Sequence, residues 1–204
     1  LNISLVGATG AVGAELTKLL EASQIPVNRL RLLASRNSAG RQVRFRDEIC
    51  FVEALDEIGD LETDIAFLCA GSAVSAEWGP RFAAQGALLI DNSSTFRMNP
   101  DVLLVLPQVN PSVLSDRPRR GIVANPNCST IQLIRQRRIG GKLGPPAARF
   151  PPTSTAIMSA PFRWRASSTN KTVLGDYLTR LSRNKPSHLC SAKSGEPPSC
   201  QVGT

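Results

Sequence analysis

Asn2-Ile-Ser-Leu-Val-Gly7-Ala-Thr-Gly10-Ala-Val-Gly13-Ala-Glu-Leu16 stands at the head of the chain, and its reading decides the fold. Asn2 to Ala8 reads as a short buried strand, with Ile3, Leu5 and Val6 apolar and a glycine cluster following. Ala11 to Ala22 then carries helical spacing, with Val12, Leu16, Leu19 and Leu20 on one face. Glycines between a strand and a helix let the backbone turn sharply and approach a pyrophosphate. The charge of that group then meets the positive end of the helix. Gly7, Gly10 and Gly13 are therefore the first candidates for cofactor binding. The plain alternative is a tight turn with no ligand, and the strand-to-helix context argues against it.

The same alternation continues outward. Leu30 to Ala34 is a second apolar strand, Asp64 to Ala70 a third, and Ala87 to Ile90 a fourth. Trp78, Phe82 and Ala83 mark a helix between the last two. Arg41 to Val52 has the character of a pair of short strands. Gly121 to Ala124 is a further strand, and Asn125-Pro126-Asn127 is a turn leading to Cys128 and the apolar stretch Thr130 to Ile134. Nearly continuous apolar strands alternating with helices predict an α/β fold with a doubly wound, mostly parallel sheet. Ligands in such sheets bind at the carboxyl ends of the strands. The polar clusters fall at those ends: Gly7 to Gly13, Ser35 to Gly40, Ala70-Gly71-Ser72, Asp91 to Ser94, and Asn125 to Ser129.

Charge divides the chain in two. Residues 1–133 hold 12 Lys+Arg against 14 Asp+Glu, whereas residues 134–204 hold 12 against 2. The overall charge of +8 therefore belongs to the last third. That third begins with the basic knot Arg135 to Arg138. Glycine and proline run through Gly140 to Pro146, and proline recurs at 151, 152, 161, 186, 197 and 198. Val173 to Leu181 is its best helical stretch. We expect a dinucleotide-binding domain over 1–133 and an irregular, disordered, Pro/Arg-rich tail over 134–204. A nucleic-acid-binding tail would explain the charge, but no recognised motif and few aromatic residues support it.

No run of about eighteen apolar residues spans a membrane, and no signal or transit peptide opens the chain. The opening Leu1 leads us to expect a fragment. The five cysteines are scattered without a CxxC pair and the only histidine is His188, so no metal site is expected. Reduced thiols in a cytoplasm are the expected setting.

Two residue types carry chemistry. At the end of the second strand, a carboxylate would bind the ribose hydroxyl of NAD, but this chain has Ser35-Arg36-Asn37-Ser38 there. Arg36 with the hydroxyls of Ser35 and Ser38 suits a 2′-phosphate, so NADP is expected over NAD. Cys128 sits at the start of a helix, where free N–H groups and the helix dipole favour thiolate over thiol. A lone cysteine is more often an inert buried residue, and Cys50 and Cys69, in apolar strand contexts, keep that reading.

Five segments together resemble the aspartate-semialdehyde dehydrogenase family. They are Gly7 to Gly13, Ala34-Ser-Arg-Asn-Ser-Ala-Gly40, Asp91-Asn-Ser-Ser-Thr-Phe-Arg-Met98, Leu106-Pro-Gln-Val-Asn-Pro111, and Ala124-Asn-Pro-Asn-Cys-Ser-Thr-Ile-Gln-Leu133. The resemblance implies a Rossmann-like fold with Cys128 as catalytic nucleophile. Arg97 grips the transferable phosphate, and Asn127 orients substrate. Thr9, Ala11, Val12, Ala70, Gly71 and Asn92 match cofactor-contacting positions. It implies reduction of β-aspartyl phosphate to aspartate semialdehyde with NADPH, in lysine, threonine, methionine and diaminopimelate biosynthesis. A homodimer is implied too, through a substrate domain that we do not expect in residues 134–204, so the dimer is doubtful here. The N-acetyl-glutamyl-phosphate reductases are similar, yet they usually carry glycine, then cysteine and tyrosine, where this chain has Asn127-Cys128-Ser129. A structural ion pair is the plain alternative for Arg97.

The resemblance stops near Leu133. The family's glutamine segment, basic substrate-binding pair and general-base histidine have no counterpart in residues 135–204, and the surroundings of His188 do not match. A change this abrupt inside one helix leads us to expect a shifted reading frame or a damaged gene. The alternative to an active enzyme is therefore a non-catalytic NADP-binding remnant.

Overall fold

The computed structural model describes residues 1–59, 61–107, 109–114, 118–132 and 200–201. The strands are β1 (Asn2–Val6), β2 (Arg29–Ala34), β3 (Gln42–Phe45), β4 (Glu48–Ala54), β5 (Ile65–Leu68), β6 (Leu88–Asp91), β7 (Leu103–Leu104), β8 (Ile122–Ala124) and β9 (Cys200–Gln201). Two helices cross between them, α1 (Ala11–Glu21) and α2 (Ser72–Ala84). The main sheet runs β3-β4-β2-β1-β5-β6-β8-β7, parallel throughout except for the antiparallel β3–β4 hairpin. Strand order reverses at β1: β2 and β4 lie to one side, β5, β6 and β8 to the other. A crevice opens at such a reversal, and both α1 and α2 begin beside it.

The central strands β1, β2 and β5 are apolar on both faces because each face has its own helix. Ile3, Leu5, Leu30, Leu32, Ile65 and Phe67 pack with Leu20 of α1 in one cluster. Their alternates Val6, Leu33, Ala66, Leu68 and Leu89 pack with Trp78 and Phe82 of α2 in another. The period-2 division of one strand between two cores is what a doubly wound parallel sheet requires. Burial of a side chain the size of Phe82 contributes about 2–3 kcal/mol.

Several expected bounds are corrected. β1 stops at Val6 rather than Ala8, because Gly7 turns the backbone with a φ of +85°. β5 spans Ile65–Leu68 rather than Asp64 to Ala70, which leaves Cys69 and Ala70 in the crevice loop. Arg41 to Val52 does hold two strands, turned at Arg46, whose N–H donates to Glu21 Oε1 of α1 at 2.8 Å. This hairpin stands where a crossover helix would join β2 to β4. β7 was not anticipated; two residues carry no readable period. The expected irregular tail and its helical stretch Val173 to Leu181 lie outside the described residues. Cys200 and Gln201 are described and pair antiparallel with Leu30 and Arg29. Among the described residues, no helix is long and apolar enough to cross a membrane.

α1 is seated by contact with the loop before it. A Cβ on Gly13 would stand 2.2 Å from the Gly7 carbonyl oxygen, a distance that no rearrangement of a side chain relieves. A Cβ on Gly10 would meet nothing nearer than that same oxygen, at 3.3 Å. Gly13→Ala is therefore expected to lower unfolding free energy by at least about 1–3 kcal/mol. Gly10→Ala should cost less than about 1 kcal/mol, as loss of a tolerated N-cap residue. Urea titration of the two variants checks the order.

Candidate active site

The glycine loop is bound to the sheet on two sides. The N–H groups of Gly7 and Ala8 both donate to the Leu33 carbonyl at the end of β2, at 2.8 and 3.2 Å. A Cβ on Gly7 would lie 2.8 Å from the Cys69 carbonyl carbon at the end of β5. Thr9, Gly10, Ala11 and Val12 face solvent above this seat. Gly10 caps α1 without any side-chain hydrogen bond, and no acidic residue stands in the first turn. Helix N–H groups and a positive dipole end are thus directed at the crevice with no internal anion to satisfy them. Gly71, with a φ of +93°, opens α2 beside it, and Ala70 and Gly71 are exposed.

Ser35, Arg36 and Ser38 form the next wall, in a 3-10 turn after β2. Thr9 Oγ1 contacts Ser38 Oγ at 3.4 Å, which joins this wall to the glycine loop. Arg36 is exposed, but it is not alone. Its Nε donates to Asp56 Oδ2 at 2.5 Å and its Nη2 lies 3.3 Å from Glu57 Oε1. The hydrogen bond to Asp56, with the charges of Asp56 and Glu57, makes the guanidinium still harder to deprotonate. The segment that follows β2 carries no carboxylate of its own. The two acids come from the turn Leu55–Glu57 at the end of the neighbouring strand β4. The signal was present in Leu55-Asp56-Glu57; only the sheet order gives it meaning.

The third wall is a polar brace built on Asp91, fully buried at the end of β6. Its Oδ1 accepts from Ser75 Oγ of α2 at 2.6 Å and from the Ser93 N–H at 3.1 Å, and its Oδ2 accepts from Ser93 Oγ at 2.7 Å. These bonds satisfy a carboxylate that burial would otherwise make costly. They also fix the turn that follows. Asn92 donates from Nδ2 to Cys69 Sγ at 3.4 Å and accepts at Oδ1 from Asn125 Nδ2 at 2.5 Å, tying together the ends of β5, β6 and β8. Arg97 straps the same ends, its Nε donating to the Asn125 carbonyl and its Nη2 to the Asn92 carbonyl, each at 2.9 Å. The ion pair weighed for Arg97 is replaced by these two carbonyl contacts.

Asn125 leads directly to the nucleophile candidate. Asn127 is the N-cap of the helix that opens at Cys128: its Oδ1 accepts from the Ser129 N–H at 2.9 Å and its carbonyl from Ile131 N–H at 3.0 Å. Cys128 is exposed in the first turn, its Sγ 3.8 Å from Asn127 Oδ1. Cys50 is buried in the core, and Cys69 is half-buried, where burial pushes its thiol up from the usual range. Cys69 thus holds its proton more tightly folded than unfolded. It costs the fold stability only as pH rises past the ordinary thiol value. His188 and Cys190 lie outside the described residues. Among the described residues, no group of three or more His, Cys, Asp or Glu is placed to hold a metal ion.

The structure therefore brings the predicted glycines, Thr9, Ser35, Arg36, Ser38, Ala70, Gly71, Asn92, Arg97, Asn127 and Cys128 to one edge of one sheet. It gives the side chains of Asn92 and Asn127 internal partners that the sequence did not disclose.

Comparison with known proteins gives a consistent family. Residues 2–117 match the model described as semialdehyde dehydrogenase, NAD binding domain. An aspartate-semialdehyde dehydrogenase of Aquifex aeolicus is 47% identical over 134 residues, covering 65% of this chain and 39% of that protein. One of Vibrio mimicus is 42% identical over 133 residues, 65% of this chain and 42% of that protein. The structure of aspartate semialdehyde dehydrogenase II of Vibrio cholerae complexed with ASA superposes with a TM-score of 0.63 at 42% identity. It covers 65% of this chain and 44% of that one. The aspartate semialdehyde dehydrogenase of Candida albicans, solved with NADP, gives 0.53 at 26% identity, with 66% and 45% covered. The chain spans about two-fifths of the length of the curated relatives it matches.

The environments of Cys50, Cys69 and Cys128 predict their order of reaction. Iodoacetamide at pH 8 should modify Cys128 more than about tenfold faster than Cys50 or Cys69, as read by peptide mapping of the intact chain.

Proposed function

The chain belongs to the semialdehyde dehydrogenase family, and we propose that it carries the cofactor-binding and nucleophile-bearing part of an NADP-dependent aspartate-semialdehyde dehydrogenase. One observation carries the reading: the open helix end at Gly10, the strap of Arg97 and the exposed thiol of Cys128 lie along the same strand ends. The functional unit in this reading is residues 1–133, and its setting is a cytoplasm.

The crevice fits a dinucleotide on its own geometry. Gly10 has little internal need to lack a side chain, so an approaching pyrophosphate gives it one. The unpaired first-turn N–H groups of α1 receive the phosphates, and Arg36 with Ser35 and Ser38 stands where an adenosine ribose would extend. Thr9, Ala11, Val12, Ala70 and Gly71 line the approach. Bound NADPH supplies a hydride.

The remaining steps belong to the chain. Cys128 Sγ, as thiolate, attacks the acyl carbon of β-aspartyl phosphate; the C–S bond forms as the C–O bond to phosphate breaks. Phosphate leaves toward Arg97, whose guanidinium has donors beyond those used on Asn92 and Asn125 to receive it. Cys128 Sγ would then serve as leaving group: once the thioester carbon is reduced, its C–S bond breaks, the thiolate is restored and aspartate semialdehyde is released. A thiolate suits both steps, as a strong nucleophile and a competent leaving group. The Asn127 cap holds Cys128 in the first helical turn, so its contribution to substrate orientation acts through the nucleophile.

A second reading is a nucleotide-binding remnant without turnover. Phosphate-dependent NADP reduction with aspartate semialdehyde separates the two. An enzyme gives activity that Cys128→Ala lowers by more than about a thousandfold. A remnant gives none, while still binding NADP. In either case Gly10→Ala should weaken NADP binding by roughly tenfold, or about 1.4 kcal/mol, with the fold retained. Unchanged affinity for this variant would remove the glycine loop from the cofactor site.

A further inference from the structure

The acids at the end of β4 have no part in the scheme above. Ala34 of β2 pairs with Ala54 of β4, so the turns that follow the two strands leave the sheet side by side. One turn presents Arg36 and the other Asp56 and Glu57. The Nε and Nη2 positions of the guanidinium form one fork, and both are engaged, by Asp56 and Glu57 respectively. One cation here answers two anions. Thr9 ties this corner to the glycine loop, which places it within the reach of a nucleotide bound there.

We propose that Asp56 and Glu57 are selectivity residues that oppose a 2′-phosphate at Arg36 and leave the crevice able to hold NAD as well as NADP. The inference rests on the dinucleotide reading of the crevice. A 2′-phosphate has two ways to reach Arg36. It displaces both carboxylates from the fork, or it takes the outer Nη1 side and stays within a Debye length, about 8 Å at physiological salt, of both. Either path sets a dianion against two carboxylates. The free ribose hydroxyls of NAD carry no charge and can donate to Asp56 or Glu57, the role that an acid at the end of the second strand commonly plays. Here the acids reach the same corner from the end of β4. All three side chains are more than half exposed, so the effect is moderate and screened by salt.

Calorimetric titration of NADP+ and NAD+ into the full chain at fixed ionic strength tests this, with Asp56→Asn/Glu57→Gln and Arg36→Ala beside it. The parent chain should bind the two nucleotides within about tenfold of each other. The double variant should tighten NADP+ by roughly three- to tenfold and leave NAD+ unchanged or weaker. Arg36→Ala should bring NADP+ to the NAD+ level or below. An unchanged or reduced NADP+ preference in the double variant overturns the proposal alone, showing that the acids aim Arg36 at the phosphate. Failure of the parent chain to bind either nucleotide overturns the dinucleotide reading as well.

Discussion

Gly13 and the Gly7 carbonyl lie so close that nothing larger than a hydrogen fits between helix and loop. This contact sets α1 directly on the end of β1, at the strand where the sheet reverses its order. Because the loop is held by Leu33 on one side and Cys69 on the other, its position is inherited from the two strands flanking β1. The N-terminus of α1 is thereby a rigid feature of the crevice. A rigid array of donors costs little to organise when a ligand arrives, which is the physical basis of preorganised binding.

The opposite wall uses polar bonds where the first uses close packing. Asp91 is buried and paired with Ser75 and Ser93, and the turn after it holds Asn92 and Arg97 across the ends of three strands. Arg97 contributes to this brace and stays half-buried at the crevice, where its structural tie is compatible with the phosphate grip proposed for it. Asn125 connects the brace to the helix cap at Asn127 and so to Cys128. Displacing any strand end would move Cys128 with it. The brace therefore couples the sheet to the chemistry through bonds no longer than those in an ordinary hydrogen-bonded turn.

Much of this arrangement was legible in the sequence. Continuous apolar strands flanked by polar clusters gave the doubly wound sheet, and the glycine spacing located its ligand edge. Cys128 stood out by its Asn-Pro-Asn turn and the helix behind it. What escaped reading has a common cause. Asp56 and Glu57 act on Arg36 only because β4 lies next to β2, and strand order is not a local property of the chain. The family resemblance implies ligand-contacting roles for Asn92 and Asn127; their internal bonds to Asn125, Cys69 and Ser129 depend on loop geometry that no local motif discloses. β7, with two residues, is too short for any period.

In the function proposed for this chain, the strand-end platform presents Cys128 as a working nucleophile toward an acyl phosphate. Intact-mass analysis of the full chain after brief exposure to freshly generated β-aspartyl phosphate, without NADPH, tests it most directly. The account predicts a single aspartyl adduct that maps to Cys128, is removed by hydroxylamine and is absent from Cys128→Ala. A chain that stays unmodified, or whose adduct lies on another cysteine, would contradict it.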